Sequence, residues 1–266
     1  MVGSNRSWKD SPEQRGFFLG LQLDSKEVHH LGRHGEGSTE TTDFAFAVSD
    51  GMGGATGGEF ASRITVDHVT QLLQRSFKQS ALGIEIYFAD IFTTLFDQIH
   101  RSLMLIGGSY AECFGMGATL TVCWFTRGWM YFGHIGDSRI YYLPAQEGDI
   151  KQISDDDTHV GWLQRNGKIN ERQARTHPRR NVLQKALGAG NQFVDPQVGA
   201  VGYESGDLFL LCSDGLVDGL YNRQILEILR APEALHTDQN FAQRLVRASL
   251  ETVGRDNTTA LVVRVP

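Results

Sequence analysis

The sequence predicts an α+β domain built in layers on antiparallel sheet. Segments typical of strands come in clusters, separated by long helical segments, rather than in a regular strand–helix alternation that would indicate a wound parallel sheet. The chain has 266 residues, of which 41% are hydrophobic, and this is enough for one sizeable core. Because there is no internal repeat and no shift in composition, we expect residues 1–266 to form a single domain.

Short apolar runs, several of them alternating, predict the strands. In chain order the predicted strands are 17–23, 43–48, 119–125, 130–135, 140–143, 207–212 and 260–265. The pair Arg127 and Gly128 separates two of these runs and indicates a hairpin.

Long helices are predicted at 59–75 and 84–106, and shorter ones at 222–229 and 241–253. The first has apolar residues at helical spacing on one face, namely Ala61, Ile64, Leu72 and Leu73. We expect the glycines at 107 and 108 to end the second.

Charge and cysteine content exclude several classes of protein. A formal net charge of -6 argues against general affinity for nucleic acid, which needs a basic face. Cys113, Cys123 and Cys212 form an odd, unpaired set, so we expect a cytoplasmic protein rather than a disulfide framework. Cys123 and Cys212 lie in apolar strand-like runs, where we expect buried thiols. No stretch reaches the apolar length of a membrane span and residues 1–10 lack an apolar signal core, so no membrane partner is expected.

Two polar segments invite a functional interpretation. His29, His30 and His34 lie in a segment rich in glycine, serine and threonine, where we expect a flexible connection because no cysteine or carboxylate spacing supports a metal site. Residues 164–180 carry six arginines and lysines against one acid, Glu171. This basic segment is either a solvated helix and loop or a flap that meets an anionic substrate.

Four short segments, far apart in the chain, each place an aspartate beside small or polar residues next to a strand. They are residues 50–54, 136–139, 213–218 and 255–259. Carboxylates at strand ends can converge on one hard divalent cation, which takes oxygen ligands. A helix cap or a turn explains each aspartate taken alone. The joint pattern favours a metal site.

The local sequence around these aspartates adds detail. Asp214 follows the apolar run 208–212 after a single serine, and a carboxylate there is costly unless it is paired or bound to metal. Asp218 comes four residues later, so a helical turn starting at Asp214 would put both carboxylates on one face. The glycines after Asp50 let the backbone approach closely, so that the carbonyl of Gly51 can add a neutral oxygen ligand. His134 is expected to be packed in its strand rather than to donate a proton.

These segments resemble the metal-dependent protein phosphatases of the 2C family in the form typical of bacteria. The resemblance runs from about residue 43 to the end of the chain. Beyond the four aspartate segments it includes Gly-Ala-Thr at 117–119, Ser-Asp-Asp-Asp-Thr at 154–158 and the segment beginning His-Pro-Arg-Arg-Asn at 177–188. Together, in this order and spacing, the motifs are highly specific.

The resemblance implies a four-layer α-β-β-α sandwich, with two antiparallel sheets face to face, helices outside each, and a polar flap at about 155–190. It implies hydrolysis of phosphoserine and phosphothreonine on proteins by a hydroxide that bridges two Mn²⁺ or Mg²⁺ ions, with a third, weaker ion in bacterial members. The expected partner is a phosphorylated protein, either a serine/threonine kinase or its target.

By position, the resemblance assigns Asp50 as the bridging ligand and the carbonyl of Gly51 to the second metal. Asp214 and Asp256 match the other ligands of the first metal, which makes Asp50, Asp214 and Asp256 the expected catalytic set. Asn257 is expected to support Asp256 without touching the metal.

The same resemblance assigns Asp137 and Asp218 to the third, weaker metal site. Met52 stands where animal and plant relatives often have a histidine. A thioether is no general acid, but methionine is ordinary in bacterial relatives.

The chain departs from the family near its start. The family opens with an arginine that grips phosphate, followed by Asn-Glu-Asp or Asn-Gln-Asp, whereas residues 9–15 lack the closing aspartate. Lys9 or Arg15, or else Arg6, is the expected replacement for that arginine, and a lysine is a point charge rather than a bidentate fork. Glu13 is expected to orient a metal-bound water.

Two other functions stay open. The degenerate first motif is compatible with a weakly active or inactive relative that binds phosphoproteins as a regulator, although costly clustered carboxylates argue against an idle site. The other alternative is a metallophosphatase for small phosphoesters, in which the basic segment meets a nucleotide or sugar phosphate.

Overall fold

Two antiparallel sheets form the centre of the computed structural model, which describes residues 2–6, 16–24, 27–32, 37–40, 42–146, 148–232, 240–252 and 257–265. The five-stranded sheet has the order β1 (Val2–Arg6), β13 (Thr258–Arg264), β12 (Leu208–Cys212), β8 (Arg139–Leu143) and β9 (Lys151–Gln152). The eight-stranded sheet runs through β3 (Val28–His30), β2 (Gly16–Leu23), β4 (Asp43–Met52), β6 (Leu120–Thr126), β7 (Trp129–Ile135) and β11 (Gln197–Gly202). The short strands β5 (Gly117–Ala118) and β10 (Leu187–Gly188) extend this sheet beside the end of β4.

Helices cover the outer face of each sheet. The helices α1 (Gly54–Ala81) and α2 (Phe88–Ser109) pack on the eight-stranded sheet. The helices α5 (Asp214–Gly219), α6 (Asn222–Arg230) and α7 (Phe241–Thr252) pack on the five-stranded sheet. Two short helices, α3 (His159–Arg165) and α4 (Glu171–Thr176), lie within residues 155–190, the predicted flap segment.

The strand β4 shows how the sequence produces these layers. Phe44, Phe46 and Val48 point into the core between the two sheets, while Ala45 and Ala47 point into the core beneath α1 and α2. Successive side chains of a strand alternate between the two faces of a sheet. Since both faces of β4 are covered, the run is apolar throughout, and the small alanines leave room for the helices. The predicted four-layer sandwich is confirmed.

The first long helix is longer than predicted, Gly54–Ala81 rather than 59–75, and the predicted end of the second helix is wrong. Gly107 and Gly108 do not end α2, which continues to Ser109, and the N–H of Tyr110 donates to the carbonyl of Ile106 at 3.1 Å. A Cβ at Gly107 would lie 3.2 Å from the carbonyl oxygen of Cys113. This glycine therefore permits the close packing of the next turn.

The predicted burial of Cys123 and Cys212 is confirmed, while Cys113 is partly exposed. Cys123 and Cys212 are buried and free, and burial raises the pKa of both thiols, to about 12 for Cys212. Over the described ranges, no helix has both the length and the apolar character that crossing a bilayer requires.

Candidate metal centre

Asp50 lies near the end of β4, on backbone that Thr119 holds in place. The N–H of Thr119 donates to the carbonyl of Asp50 at 2.8 Å, and the N–H of Asp50 donates to the Thr119 hydroxyl at 3.0 Å. The next residue, Gly51, packs against α1 so closely that a Cβ there would lie 1.8 Å from the carbonyl oxygen of Gly58. Only glycine fits at position 51, and the Asp50 carboxylate is thereby fixed where β4 meets α1.

Asp137 lies in the turn between β7 and β8, and this turn packs against the same threonine. Gly136 has a φ of 112°, and a Cβ there would lie 2.6 Å from the side chain of Thr119. Burial raises the pKa of Asp137 to about 7, and the negative charges of Asp156 and Asp50 contribute to the rise. Asp137 therefore experiences the negative charge of both other carboxylates, which a bound cation would offset.

Asp214 and Asp218 lie on α5, which begins immediately after β12. Asp214 opens the helix and Asp218 follows one turn later, and both line the cavity that Asp137 also lines. The predicted shared face of these two carboxylates is confirmed. The turn that carries Asp137 and the helix α5, about eighty residues apart in the sequence, therefore line the same cavity.

The first turn of α5 packs against Asn257, the residue before β13. The hydroxyl of Ser213 donates to the carbonyl of Asn257 at 3.2 Å, and a Cβ at Gly215 would lie 2.5 Å from the same oxygen. This places Asn257 beside the turn that carries Asp214. Four predicted site residues lie outside the described part of the chain: Lys9, Glu13, Arg15 and Asp256.

The cavity combines acidic and basic side chains. Its acids are Asp137, Asp156, Glu171, Asp214 and Asp218, and its bases are Arg139, Arg175 and Arg180. Asp50 is not part of this lining. Within the described ranges, no three histidine, cysteine, aspartate or glutamate side chains converge tightly enough to hold a metal ion. The carboxylate donors fit Mn²⁺ or Mg²⁺ by their chemistry, and the full ligand set stays a prediction.

An ion pair between Arg139 and Asp156 lines the cavity and was not predicted. Arg139 binds the carboxylate in bidentate fashion, with Nε to Oδ1 at 2.9 Å and Nη2 to Oδ2 at 2.6 Å. The Gln152 amide donates to the same carboxylate at 2.7 Å. The sequence offered one signal, since Arg139 follows Asp137 by two residues and Asp156 lies in the motif at 154–158.

Some basic side chains of segment 164–180 hydrogen-bond to backbone carbonyls, and others line the cavity or face solvent. Arg165 donates to the carbonyl of Asp156 at 2.9 Å, and Arg175 donates to carbonyls of α5 and the residue that follows it. Arg180 lines the cavity, while Arg172 and Arg179 are exposed. Contact of this segment with a substrate stays a prediction.

His134 is packed, as expected. Its Nδ1 lies 2.8 Å from the Thr121 hydroxyl, and its Nε2 lies 3.1 Å from the carbonyl oxygens of Gly136 and Asp155. These carbonyls require Nε2 to carry the proton, and burial lowers the pKa of His134 to about 4. A neutral, fully engaged imidazole is a structural support of the Asp137 turn.

Comparison with known proteins decides the family. The family described as protein phosphatase 2C matches residues 34–253 of this chain. The chain belongs to the protein phosphatase 2C family. Among protein phosphatase 2C relatives, the serine/threonine protein phosphatase PstP of Mycobacterium tuberculosis is 34% identical over 222 residues, which are 82% of this chain and 40% of that protein. The serine/threonine phosphatase stp of Listeria welshimeri is 29% identical over 248 residues, 91% of this chain and 94% of that protein.

A solved structure supports the same protein phosphatase 2C assignment. The catalytic domain of PstP, in complex with two manganese ions, has a TM-score of 0.73 and 25% sequence identity, and the match covers 98% of this chain and 95% of that one. The chain spans 40% of the length of the full PstP relative.

Proposed function

We propose that this protein hydrolyses phosphoserine and phosphothreonine esters on proteins with the help of two Mn²⁺ or Mg²⁺ ions. The observation that carries the proposal is the meeting of Asp137, Asp214 and Asp218 at one cavity, with Asp50 close enough for its charge to raise the pKa of Asp137. The two manganese ions in the PstP structure support a pair of ions here.

In this proposal, Asp50, Asp214, Asp256 and the carbonyl of Gly51 hold the two ions. Such ions, when bound, lower the pKa of a shared water and neutralise charge on the phosphate oxygens. Asp137 and Asp218 would hold a third ion. The chain's own contribution is rigidity, because Thr119 fixes the backbone of Asp50 and the first turn of α5 fixes Asp214.

Substrate binding is assigned to the basic side of the cavity. Arg180 lies on the cavity wall beside Asn181 and can attract the dianionic phosphate of a substrate. Lys9 or Arg15 stays the predicted phosphate ligand from the start of the chain, with Glu13 orienting a metal-bound water. The partner is a phosphorylated protein, such as a serine/threonine kinase or its target. Free, buried thiols support a reducing, cytoplasmic setting.

The test is hydrolysis of para-nitrophenyl phosphate and of a phosphothreonine peptide. We expect turnover with Mn²⁺, loss of turnover with a chelator, and loss in Asp214→Ala with an unchanged circular dichroism spectrum. The matched control is Asp67→Ala, which removes an exposed carboxylate on α1.

Three outcomes would contradict the proposal or favour an alternative function. No turnover with any divalent metal would favour a binding protein. Turnover of the small ester alone would favour a phosphatase for small phosphoesters. Full activity in Asp214→Ala would remove this carboxylate from the site.

A further inference from the structure

The flap helix α4 is joined to the end of α5 through the guanidinium of Arg175. Nη1 donates to the backbone carbonyl of Asp218 at 3.0 Å, and Nη2 donates to the carbonyl of Leu220. The guanidinium carbon lies 3.8 Å from the centre of the Tyr221 ring, over its face. Because the Arg175 side chain is only 17% exposed, these contacts are largely shielded from water.

These contacts fall on the part of α5 that most needs a partner. The last four carbonyls of a helix have no partner within the helix, and α5 has only six residues. Helices this short are unstable in isolation. A cation at the carboxyl end also interacts favourably with the helix dipole. Arg175 therefore supplies two donors and a charge to the end of α5, the turn that carries Asp218, in addition to the hydrogen bonds that Ser249 of α7 donates to the same helix.

A second set of hydrogen bonds fastens the same junction. Glu171, one turn before Arg175, has its Oε1 3.8 Å from Nη2 of Arg175, and this oxygen accepts from the N–H of Asn222 at 3.2 Å. The Asn222 amide oxygen accepts from the hydroxyl of Tyr141 at 2.9 Å, and that hydroxyl accepts from Nη1 of Arg139 at 2.9 Å. A continuous polar connection thus runs from the flap to the start of β8.

We propose that Arg175 is a positioning residue that couples the flap to the metal centre by fixing the backbone of Asp218. The proposal rests on the proposed function for the role of Asp218 as a metal ligand. The structural part of the proposal does not depend on that function, because the contacts of Arg175 with the end of α5, here called the clamp, exist whatever the cavity binds. When Arg175 holds, α4 and the last turn of α5 move as one body. When it is lost, α4 is no longer joined to that turn, which is then held by its contacts with α7.

Hydrogen exchange tests the clamp without any assay of activity. In Arg175→Ala, we expect amide exchange over α4 and α5 to speed up by about tenfold or more, because hydrogen bonds to a charged group are lost. The matched control is Arg172→Ala, on the exposed side of the same helix, which should leave exchange unchanged. Arg175→Lys should fall between the two, since one ammonium cannot reproduce the fork and the stacking on Tyr221.

Unchanged protection of α5 in Arg175→Ala would overturn the clamp. If Arg175→Ala does not fold, Arg175→Lys carries the test alone. It supports the clamp if exchange rises over α4 and α5 and nowhere else, and it overturns the clamp if exchange there matches the wild type.

Manganese binding tests the coupling to the metal centre. Calorimetric titration should show apparent Mn²⁺ affinity weakened by about tenfold in Arg175→Ala, the size of effect typical of residues that orient metal ligands. Raising Mn²⁺ should restore much of the lost kcat, which a general loss of folding would not allow. An unchanged Mn²⁺ affinity in Arg175→Ala, alongside weakened binding in Asp218→Asn, would overturn the coupling. Unchanged affinity in Asp218→Asn would instead remove Asp218 from the proposed metal site and leave the clamp to the exchange test.

Discussion

The ionised carboxylate of Asp137 destabilises the folded, metal-free protein, as its raised pKa indicates, and Asp137→Asn should remove this destabilisation. Burial, helped by the charges of Asp156 and Asp50, raises this pKa from 3.8 to about 7. The difference corresponds to about 4 kcal/mol, since each pKa unit is worth about 1.4 kcal/mol. In chelator at pH 8, the variant should therefore be more stable than the wild type by up to about 4 kcal/mol.

The sign follows from proton counting. Below about pH 4 the carboxyl group is protonated in both the folded and the unfolded state, so it contributes no difference. Between about pH 4 and pH 7 the unfolded state ionises while the folded state keeps its proton, and the metal-free wild type loses stability as the pH rises. Above about pH 7 the penalty is complete. The advantage of Asp137→Asn should grow over this interval and then level off.

Urea unfolding, extrapolated to water, measures this prediction at pH 5 and pH 8. The control is Asp67→Asn, an exposed position on α1 that should show no such pH dependence. Added Mn²⁺ should stabilise the wild type more than Asp137→Asn, because a bound cation offsets the carboxylate repulsion that the variant has already lost. An equal stability difference between wild type and Asp137→Asn at both pH values would refute the reasoning.

Further predictions concern the Arg139–Asp156 ion pair, Gly51 at the end of β4, and Lys9 near the start of the chain. Arg139→Ala and Asp156→Ala should each lower the free energy of unfolding by about 3–5 kcal/mol, because each leaves a buried charge unpaired. In urea unfolding, the double variant should lose less than the sum of the two single losses, and additive losses would contradict the pairing. Gly51→Ala should destabilise strongly because its Cβ would meet a carbonyl of α1 at 1.8 Å, while Gly108→Ala, with open space, should not lower Tm. Lys9→Ala should raise KM more than it lowers kcat if Lys9 only grips phosphate; an unchanged KM would remove this assignment.

The strands and their aspartates could be predicted because their signals are local. The run of alternating large and small apolar residues before Asp50 determines which side chains of β4 lie on each face and where the Asp50 carboxylate emerges. Likewise, the apolar run before Asp214 and the spacing to Asp218 define a strand followed by a helical turn. Each of these inferences uses residues that are neighbours in the sequence.

What the sequence could not supply depends on contacts between distant residues. The clamp of Arg175 on Asp218 and Leu220 joins positions more than forty residues apart, and nothing near residue 175 distinguishes it from the exposed Arg172. The end of α2 was misplaced because the packing of Gly107 against a later turn outweighs its low helix propensity. The strand β1, Val-Gly-Ser-Asn-Arg, has no apolar run, so only its pairing with β13 at the far end of the chain reveals it.

The proposed function depends most directly on two cations lying between carboxylates that are remote in the sequence. Crystals soaked in Mn²⁺, with anomalous diffraction recorded at the manganese edge, measure this without any assumption about activity. We predict two neighbouring peaks, about 3.5–4 Å apart, in contact with Asp50 and Asp214. Strong peaks elsewhere only, or carboxyl groups of Asp50 and Asp214 too far apart to reach one pair of ions, would contradict the account.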